Sequence, residues 1–141
     1  MKLMIAPESC GSEKLTFGII WIPVGSTVKP CHSHPGTEEI IYICKGDGEA
    51  WVDGDITTFT TGDTILLPSG SKHMIRNIGD ENCEVIFMYS PPTSPENYNF
   101  YPEIKFKKYL RININNAKHL LDAGLDIICF CDDLGRGKSI D

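Results

Sequence analysis

Four side chains that commonly bind metals lie in a distinctive pattern in this chain. His32 and His34 are two residues apart, Glu39 follows just after a Pro-Gly turn, and His73 follows a second turn. Side chains at i and i+2 of a β-strand point to the same face, so the first two imidazoles should lie side by side. Three imidazoles and one carboxylate suit Mn, Fe, Ni, Co or Zn better than Ca or Mg, which prefer oxygen ligands. The pattern predicts a metal site, with Glu38 as the competing carboxylate.

Length and composition are those of one folded domain. The chain has 141 residues, of which 41% are hydrophobic and 23% charged. A net charge of −6 and a pI near 5.1 give no electrostatic reason to expect nucleic acid or an anionic membrane as a partner. We see no signal sequence and no apolar stretch of the roughly 20 residues that span a bilayer. The six cysteines are irregularly spaced, which favours reduced thiols and a cytoplasmic location.

Residues 14–90 have the pattern of about eight short strands separated by turn residues. Asp53-Gly54, between two alternating segments, is a strong signal for a two-residue hairpin. Many short strands at close spacing predict an all-β sandwich or small barrel. The expected strands are Leu15–Ile22, Thr27–His34, Glu39–Cys44, Glu49–Val52, Asp55–Phe59, Thr64–Leu67, His73–Ile78 and Cys83–Tyr89.

The rest of the chain follows a different pattern. Residues 91–103 contain four prolines and no periodicity, which indicates a loop or arm. Residues 116–124 predict a short helix with an Asn cap and a Gly stop, and residues 125–131 have the composition of one more strand. We therefore expect a barrel over 1–90. We expect residues 91–141 to form an arm and a C-terminal extension that packs on the barrel or on a partner subunit.

Two spaced sets of residues resemble the two motifs of the cupin superfamily, in particular its small single-domain, cupin-2-like barrel proteins. The first set is Gly25, His32, His34, Glu39 and Gly46, and the second is Gly62, Pro68, Gly70, His73 and Asn77. The second set fits its motif at every position. In the first, six residues rather than five separate Gly25 from His32, and this extra residue falls in a turn. The resemblance covers roughly residues 14–90.

The resemblance implies a double-stranded β-helix, or jelly roll, with a metal bound inside its open end. The four side chains described above match the positions of the family's ligands. Glu39 is preferred over Glu38 because six residues separate it from Gly46, and because strand alternation then directs Glu38 to the outer face. The alternative, a barrel that has lost its metal, is disfavoured because all four ligand positions are occupied.

The cysteines near these motifs and in the tail are interpreted as packing residues. Cys31 neighbours His32 but should point to the opposite face of the strand. Cys129 and Cys131 have the i, i+2 spacing of half a zinc site, but no second Cys or His pair lies near them in sequence.

Alternation also predicts an apolar lining for the barrel, with few polar groups besides the metal ligands. The expected inward positions are Val28, Pro30, Ile41, Ile43, Ile75, Asn77, Cys83, Val85, Phe87 and Tyr89.

The resemblance leaves the reaction open, because cupins include oxygenases, decarboxylases, isomerases, lyases, storage proteins and sugar sensors. Open coordination positions favour a metal-dependent enzyme acting on a small organic substrate that chelates the metal through oxygen, with oxygenase or decarboxylase chemistry preferred. One alternative is a sugar- or uronate-isomerase type of cupin. Another is a non-catalytic metal-containing protein that binds or senses a small molecule. Tyr42, Tyr89 and Glu38 are candidate catalytic groups near the mouth.

Two strands are apolar on both faces, which predicts a second cover outside the barrel. Ile40, Tyr42, Ile86 and Met88 should point outward, where either the chain's own tail or a second subunit must cover them. We expect a homodimer related by a twofold axis. The candidate tail residues are Leu120, Leu121, Ile127, Ile128 and Phe130.

Overall fold

The computed structural model describes residues 1–107. The helix and strand expected over 116–131, with the tail residues and the last two cysteines, lie outside the described residues. Within 1–107, helix α1 is Pro7–Cys10 and a 3-10 helix is Pro95–Asn97. The strands are β1 Lys2–Ile5, β2 Thr16–Ile22, β3 Cys31–Ser33, β4 Glu38–Lys45, β5 Gly48–Val52, β6 Asp55–Phe59, β7 Thr64–Leu67, β8 His73–Asn77, β9 Cys83–Ser90 and β10 Asn99–Tyr101.

These strands form two antiparallel sheets of five. One has the order β1-β2-β9-β4-β7 and the other β10-β3-β8-β5-β6. Neighbours within a sheet are often distant in sequence, as β2 and β9 are, because the chain passes repeatedly from one sheet to the other. The interior face of both sheets carries the apolar residues, as alternation requires. The predicted all-β double-stranded β-helix is confirmed.

Side chains of both sheets meet in one apolar core between the sheets. Ile43 and Val85 from the first sheet are completely buried, and they pack in a cluster with Ala50, Phe59 and Ile75 from the second. The hairpin predicted at Asp53-Gly54 joins β5 to β6, and both of its residues have positive φ. That backbone is the one a two-residue turn needs to match the twist of its strands.

Besides β1 and α1, which lie where no element was predicted, two segments differ from the sequence-based expectations. The strand expected over Thr27–His34 is reduced to β3, because Pro30 has no N–H to donate to a neighbouring strand. Before it, Val28 still donates a hydrogen bond to the carbonyl of Ile75. The loop expected over 91–103 contains a 3-10 helix and β10, which pairs with β3. Three residues between prolines are too short a run for periodicity to reveal a strand.

Residues 1–105 form one compact unit. The predicted division at residue 90 stays a prediction. The four cysteines of the described residues are free thiols. Across the residues that the structure describes, none of the helices is long and apolar enough to cross a membrane.

Candidate metal centre

The three histidines converge on the second sheet because of strand pairing. His32 lies directly opposite His73 in the antiparallel register of β3 and β8. His34 follows β3, two residues after His32, and therefore points to the same side. One nitrogen from each of the three rings lies within 4.8 Å of the other two. The structure thus brings together the three histidines that the sequence singled out.

The carboxylate comes from the opposite sheet. Glu39 on β4 is 5% exposed and points inward, whereas Glu38 is exposed on the outer face, as alternation predicted. Oε2 of Glu39 lies 3.0 Å from Nε2 of His34, in hydrogen-bond geometry, and 3.1 Å from Nε2 of His73. The candidate metal centre, which is His32, His34, Glu39 and His73, therefore bridges the two sheets.

Backbone carbonyls orient two of the imidazoles. Nδ1 of His73 donates a hydrogen bond to the carbonyl of Ser71 at 3.0 Å, and Nδ1 of His32 donates to the carbonyl of Pro30 at 2.9 Å. An imidazole that carries its proton on Nδ1 presents the lone pair of Nε2, and metal-binding histidines are commonly held in this way. Both rings are thus oriented as ligands before any metal binds.

Motif residues that are not ligands build the turns that hold the ligands. Both the backbone N–H and the hydroxyl of Ser71 donate to the carbonyl of Pro68, which fixes the turn before His73. Asn77 donates to the carbonyls of Ile22 and Glu81, and its own side-chain oxygen accepts from a backbone N–H. The proline and asparagine of the second motif are therefore structural, because they set the two ends of the strand that carries His73.

The electrostatics of the site fit a divalent transition metal. Burial lowers the pKa of His32 to about 4, with a further contribution from His73, so the ring is neutral at neutral pH. Burial by itself would raise the pKa of Glu39, but the hydrogen bond to His34 and the two adjacent imidazoles outweigh burial and hold that pKa below its usual value. The donor set therefore contains a carboxylate and an imidazole in the forms that bind metals.

One buried nitrogen in particular is placed as a ligand for a cation. Nε2 of His73 is buried and has no hydrogen-bond partner, although it lies close to Oε2 of Glu39. Buried polar atoms are normally paired. Since Nδ1 of this ring carries the proton, Nε2 and the carboxylate oxygen face each other with lone pairs, which repel. A cation between them would turn the repulsion into attraction, so the residues present fit a metal.

An aromatic residue that sequence reasoning missed lies over the site. The ring of Tyr98 stacks on His32 with centroids 5.6 Å apart and planes 12° apart, and its edge meets His34 at 4.1 Å. Tyr98 precedes β10, whose next aromatic residue, Phe100, pairs with His32. The only sequence signal was a group of aromatic residues in a proline-rich segment, and a segment without periodicity does not indicate what it covers.

Of the candidate catalytic groups, the structure brings only Tyr89 to the centre. Tyr89 lies beside Glu39 in the β4–β9 register, with its ring 4.8 Å from that of His34. Burial, and then the charge of Glu39, raise the pKa of the Tyr89 phenol, so it keeps its proton and acts as a hydrogen-bond donor. Tyr42 and Glu38 point to the outer face of β4, because they alternate with the inward Glu39 and Ile41. The structure does not bring them to the metal centre.

A cavity of about 250 Å³ adjoins the metal centre. Most of its walls are apolar, as predicted for the barrel lining. Val28, Pro30, Ile41, Ile75, Val85, Phe87 and Tyr89 are expected lining residues that border it. Three others, Ile43, Asn77 and Cys83, are buried and do not border this cavity.

Comparison with known proteins identifies the family. The family model for the cupin domain matches residues 18–89, which is just over half of the chain. The chain therefore belongs to the cupin family, as the two motifs indicated.

Several relatives show how wide that family is. The chain is 26% identical over 91 residues to the polyketide synthase protein CurC of Streptomyces cyaneus, covering 64% of this chain and 58% of CurC. It is 37% identical over 75 residues to an uncharacterised protein of Methanocaldococcus jannaschii, covering 53% of this chain and 59% of that protein. The chain thus spans about three-fifths of the length of these curated relatives.

A solved structure supports the same assignment. The crystal structure of a predicted oxalate decarboxylase from Thermotoga maritima superposes with a TM-score of 0.58 at 28% identity. The match covers 63% of this chain and 76% of that protein.

Proposed function

We propose that this protein is a metal-dependent enzyme acting on a small organic substrate that chelates the metal through oxygen. The observation that carries the proposal is the convergence of three imidazoles and one buried carboxylate beside a cavity of about 250 Å³. His32, His34, Glu39 and His73 would hold one ion of Mn, Fe, Ni, Co or Zn. Once bound, such an ion supplies Lewis-acid or, if it is redox-active, electron-transfer chemistry.

The chain's own residues would prepare the site for that chemistry. The carbonyls of Ser71 and Pro30 hold two imidazoles in one tautomer, so the ligands need little rearrangement. With a substrate in the cavity, its apolar walls would exclude water from the metal centre, which strengthens electrostatic interactions there. Tyr89 keeps its proton and lies beside Glu39, where it can donate a hydrogen bond to a substrate oxygen.

Oxygenase or decarboxylase chemistry is favoured over isomerisation. Isomerisation of a sugar or uronate needs a group that moves a proton from one carbon to another. Among the described residues that line the cavity, Glu39 is the only carboxylate, and we assign it to the metal. The likeness to a predicted oxalate decarboxylase points in the same direction.

The test begins with the full-length chain stripped of metal and then reloaded with each candidate ion in turn. Elemental analysis should recover about one equivalent per chain. Oxygen consumption and CO₂ release are then measured with small carboxylates, diols and sugar acids that raise the melting temperature of the loaded protein. Turnover that requires the metal supports an enzyme. Tight binding without turnover for every ion would instead identify a metal-containing binding or sensor protein.

We further propose a homodimer, formed through the outer face of the first sheet. Ile40, Tyr42 and Leu66 on this face are 41%, 42% and 57% exposed. On the neighbouring strand β9, Met88 pairs with Ile40 and Ile86 pairs with Tyr42, so the apolar surface runs across β9, β4 and β7. A contiguous apolar patch of this kind usually marks an interface. Light scattering at micromolar concentration should give about twice 15.7 kDa. The monomer mass would rule the dimer out. A cytoplasmic location also stays a proposal, to be checked by cell fractionation.

A further inference from the structure

We infer that the substrate carries an aromatic ring beside its chelating oxygens, and that Tyr98 and the apolar barrel wall hold this ring. The inference rests on the proposed function and narrows its substrate class, because it excludes small dicarboxylates, oxalate among them, and sugar acids as the preferred substrates. The reaction types proposed above are unchanged. Four features of the cavity carry it: the charge of its walls, the net charge at the metal centre, its aromatic surface and its size.

The walls of the cavity offer little to a highly charged or polyhydroxylated ligand. Apart from the metal ligands and Lys29, the described residues that line it are all apolar or aromatic. Lys29 is the only basic side chain among them besides the histidines, and it is exposed. Carboxylates and sugar hydroxyls that lose water without a partner are costly to bury. A dicarboxylate could place one end on the metal, but its other end would face aliphatic groups.

The net charge of the metal centre points to a ligand with a single negative charge. A divalent ion with one carboxylate and three neutral imidazoles leaves a net charge of about +1. A chelating group that carries one charge, such as an α-hydroxy acid or a phenolate, balances it. A dianion would leave an excess negative charge in an apolar cavity, which is unfavourable.

Aromatic rings border the cavity at the side next to the metal centre. Tyr98 presents its ring across His32 and His34, and Phe100 lies 6.0 Å from Tyr98 between ring centroids. On the opposite sheet the rings of Phe87 and Tyr89 are 5.1 Å apart. Rings in such surroundings gain from stacked and edge-to-face contacts beyond the area they bury. A ligand ring would therefore meet an aromatic surface on two sides.

The size of the cavity sets the scale of the ligand. A cavity of about 150 Å³ lined by apolar side chains is large enough to admit benzene. The cavity here measures about 250 Å³, which leaves room for one ring and a short chelating substituent. A larger fused ring system would need Tyr98 or Phe100 to move.

The experiment compares two ligands that share a chelating group and differ in the ring. L-mandelate and L-lactate are both α-hydroxy acids, and glucuronate represents the sugar acids. Their dissociation constants are measured by calorimetry on the full chain loaded with zinc, which does not change oxidation state. We expect mandelate to bind at least tenfold more tightly than lactate and more tightly than glucuronate. Equal affinities for mandelate and lactate, or a preference for glucuronate, would overturn the inference.

Two tyrosines of the same segment provide a matched pair of variants. Tyr98→Leu removes the ring that covers His32 and should reduce the preference for mandelate over lactate about three- to tenfold. Tyr101 pairs with Cys31 and lies beside Lys72 and Ser33, so Tyr101→Leu should leave that preference unchanged. A preference that survives Tyr98→Leu would contradict the role assigned to Tyr98.

Zinc content separates the inference from the proposed function. If the wild-type chain takes up no metal, the proposed function fails. If it takes up one equivalent but shows no preference for the aromatic ligand, only the inference on substrate class fails. Melting temperature and zinc content of both variants show that each one is folded and loaded.

Discussion

The two ends of the barrel interior are built from the same strands but carry different kinds of side chain. On β4, Glu39 points into the metal centre, whereas Ile43, four residues later on the same face, is completely buried in the apolar core. On β8, His73 lies at the metal centre and Ile75, two residues on, already belongs to the core. Each strand therefore presents a metal donor at one end, and the residues that follow on the same face, Ile43 and Ile75, belong to the apolar core.

The core end of the barrel should stabilise the folded state, and the metal end should destabilise it when no metal is bound. At the core end, burial of aliphatic side chains stabilises the folded state by about 25 cal/mol for each Å² removed from water. At the metal end, polar groups lose their contacts with water, and hydrogen bonds offset only part of that free-energy cost. Nε2 of His73 is buried without a hydrogen-bond partner. Most of the free energy of folding should therefore come from the core end, whereas the metal end should become stable only when its ion is bound.

The largest expected effect comes from removing donors at the metal end. The double variant His32→Ala, His73→Ala removes two of three clustered imidazoles, so metal content should fall from about one equivalent to nearly none. Elemental analysis of the reloaded protein measures this metal content. His119→Ala, at the fourth histidine of the chain and outside the described residues, is the control and should keep full content. A double variant that retains its metal would show that the ligands are elsewhere.

A change at the core end should affect stability and leave the metal in place. Ile43→Ala leaves a cavity at a fully buried position, so the free energy of unfolding should fall by about 2–5 kcal/mol. Urea denaturation measures this loss, and Ile40→Ala, on the exposed face of the same strand, is the control with a smaller loss. Ile43→Ala protein that is folded but without metal would mean that the two ends are coupled.

The smallest of the three effects distinguishes the two neighbouring carboxylates. Glu39→Gln replaces the buried carboxylate of the metal centre with a neutral amide, and should weaken metal binding about tenfold or more. Glu38→Gln changes an exposed side chain on the outer face and should have little effect. Metal titration in competition with a chelator compares them. The opposite order of effects would place β4 one residue out of register.

Much of the barrel could be predicted from local sequence. Strand alternation placed Glu39 inward and Glu38 outward, and the Asp53-Gly54 pair located the hairpin between β5 and β6. Both signals are local, since side chains alternate along any strand and a tight turn needs residues that accept positive φ. The motif residues likewise marked the three histidines that the structure places together.

Tyr42 is a catalytic candidate that strand alternation already argues against. It was a candidate for the mouth of the barrel, yet it is 42% exposed on the outer face of β4. The same alternation that turned Glu39 inward turned Tyr42 outward, so this position was predictable from the strand alone. The shortening of β3 was also accessible, because Pro30 cannot take part as a donor in strand pairing.

The sequence by itself determined the strands from β2 to β9, apart from the length of β3, the face on which their side chains lie and the four candidate metal ligands. Only the tertiary structure decided that Glu39, from one sheet, reaches His34 and His73 on the other, and that Tyr98 covers His32. Alternation and turn formation depend on neighbours along the chain, which a sequence displays directly. The cover of the metal centre depends on β10 pairing with β3, more than 60 residues earlier in the chain, and that choice is made by packing in three dimensions.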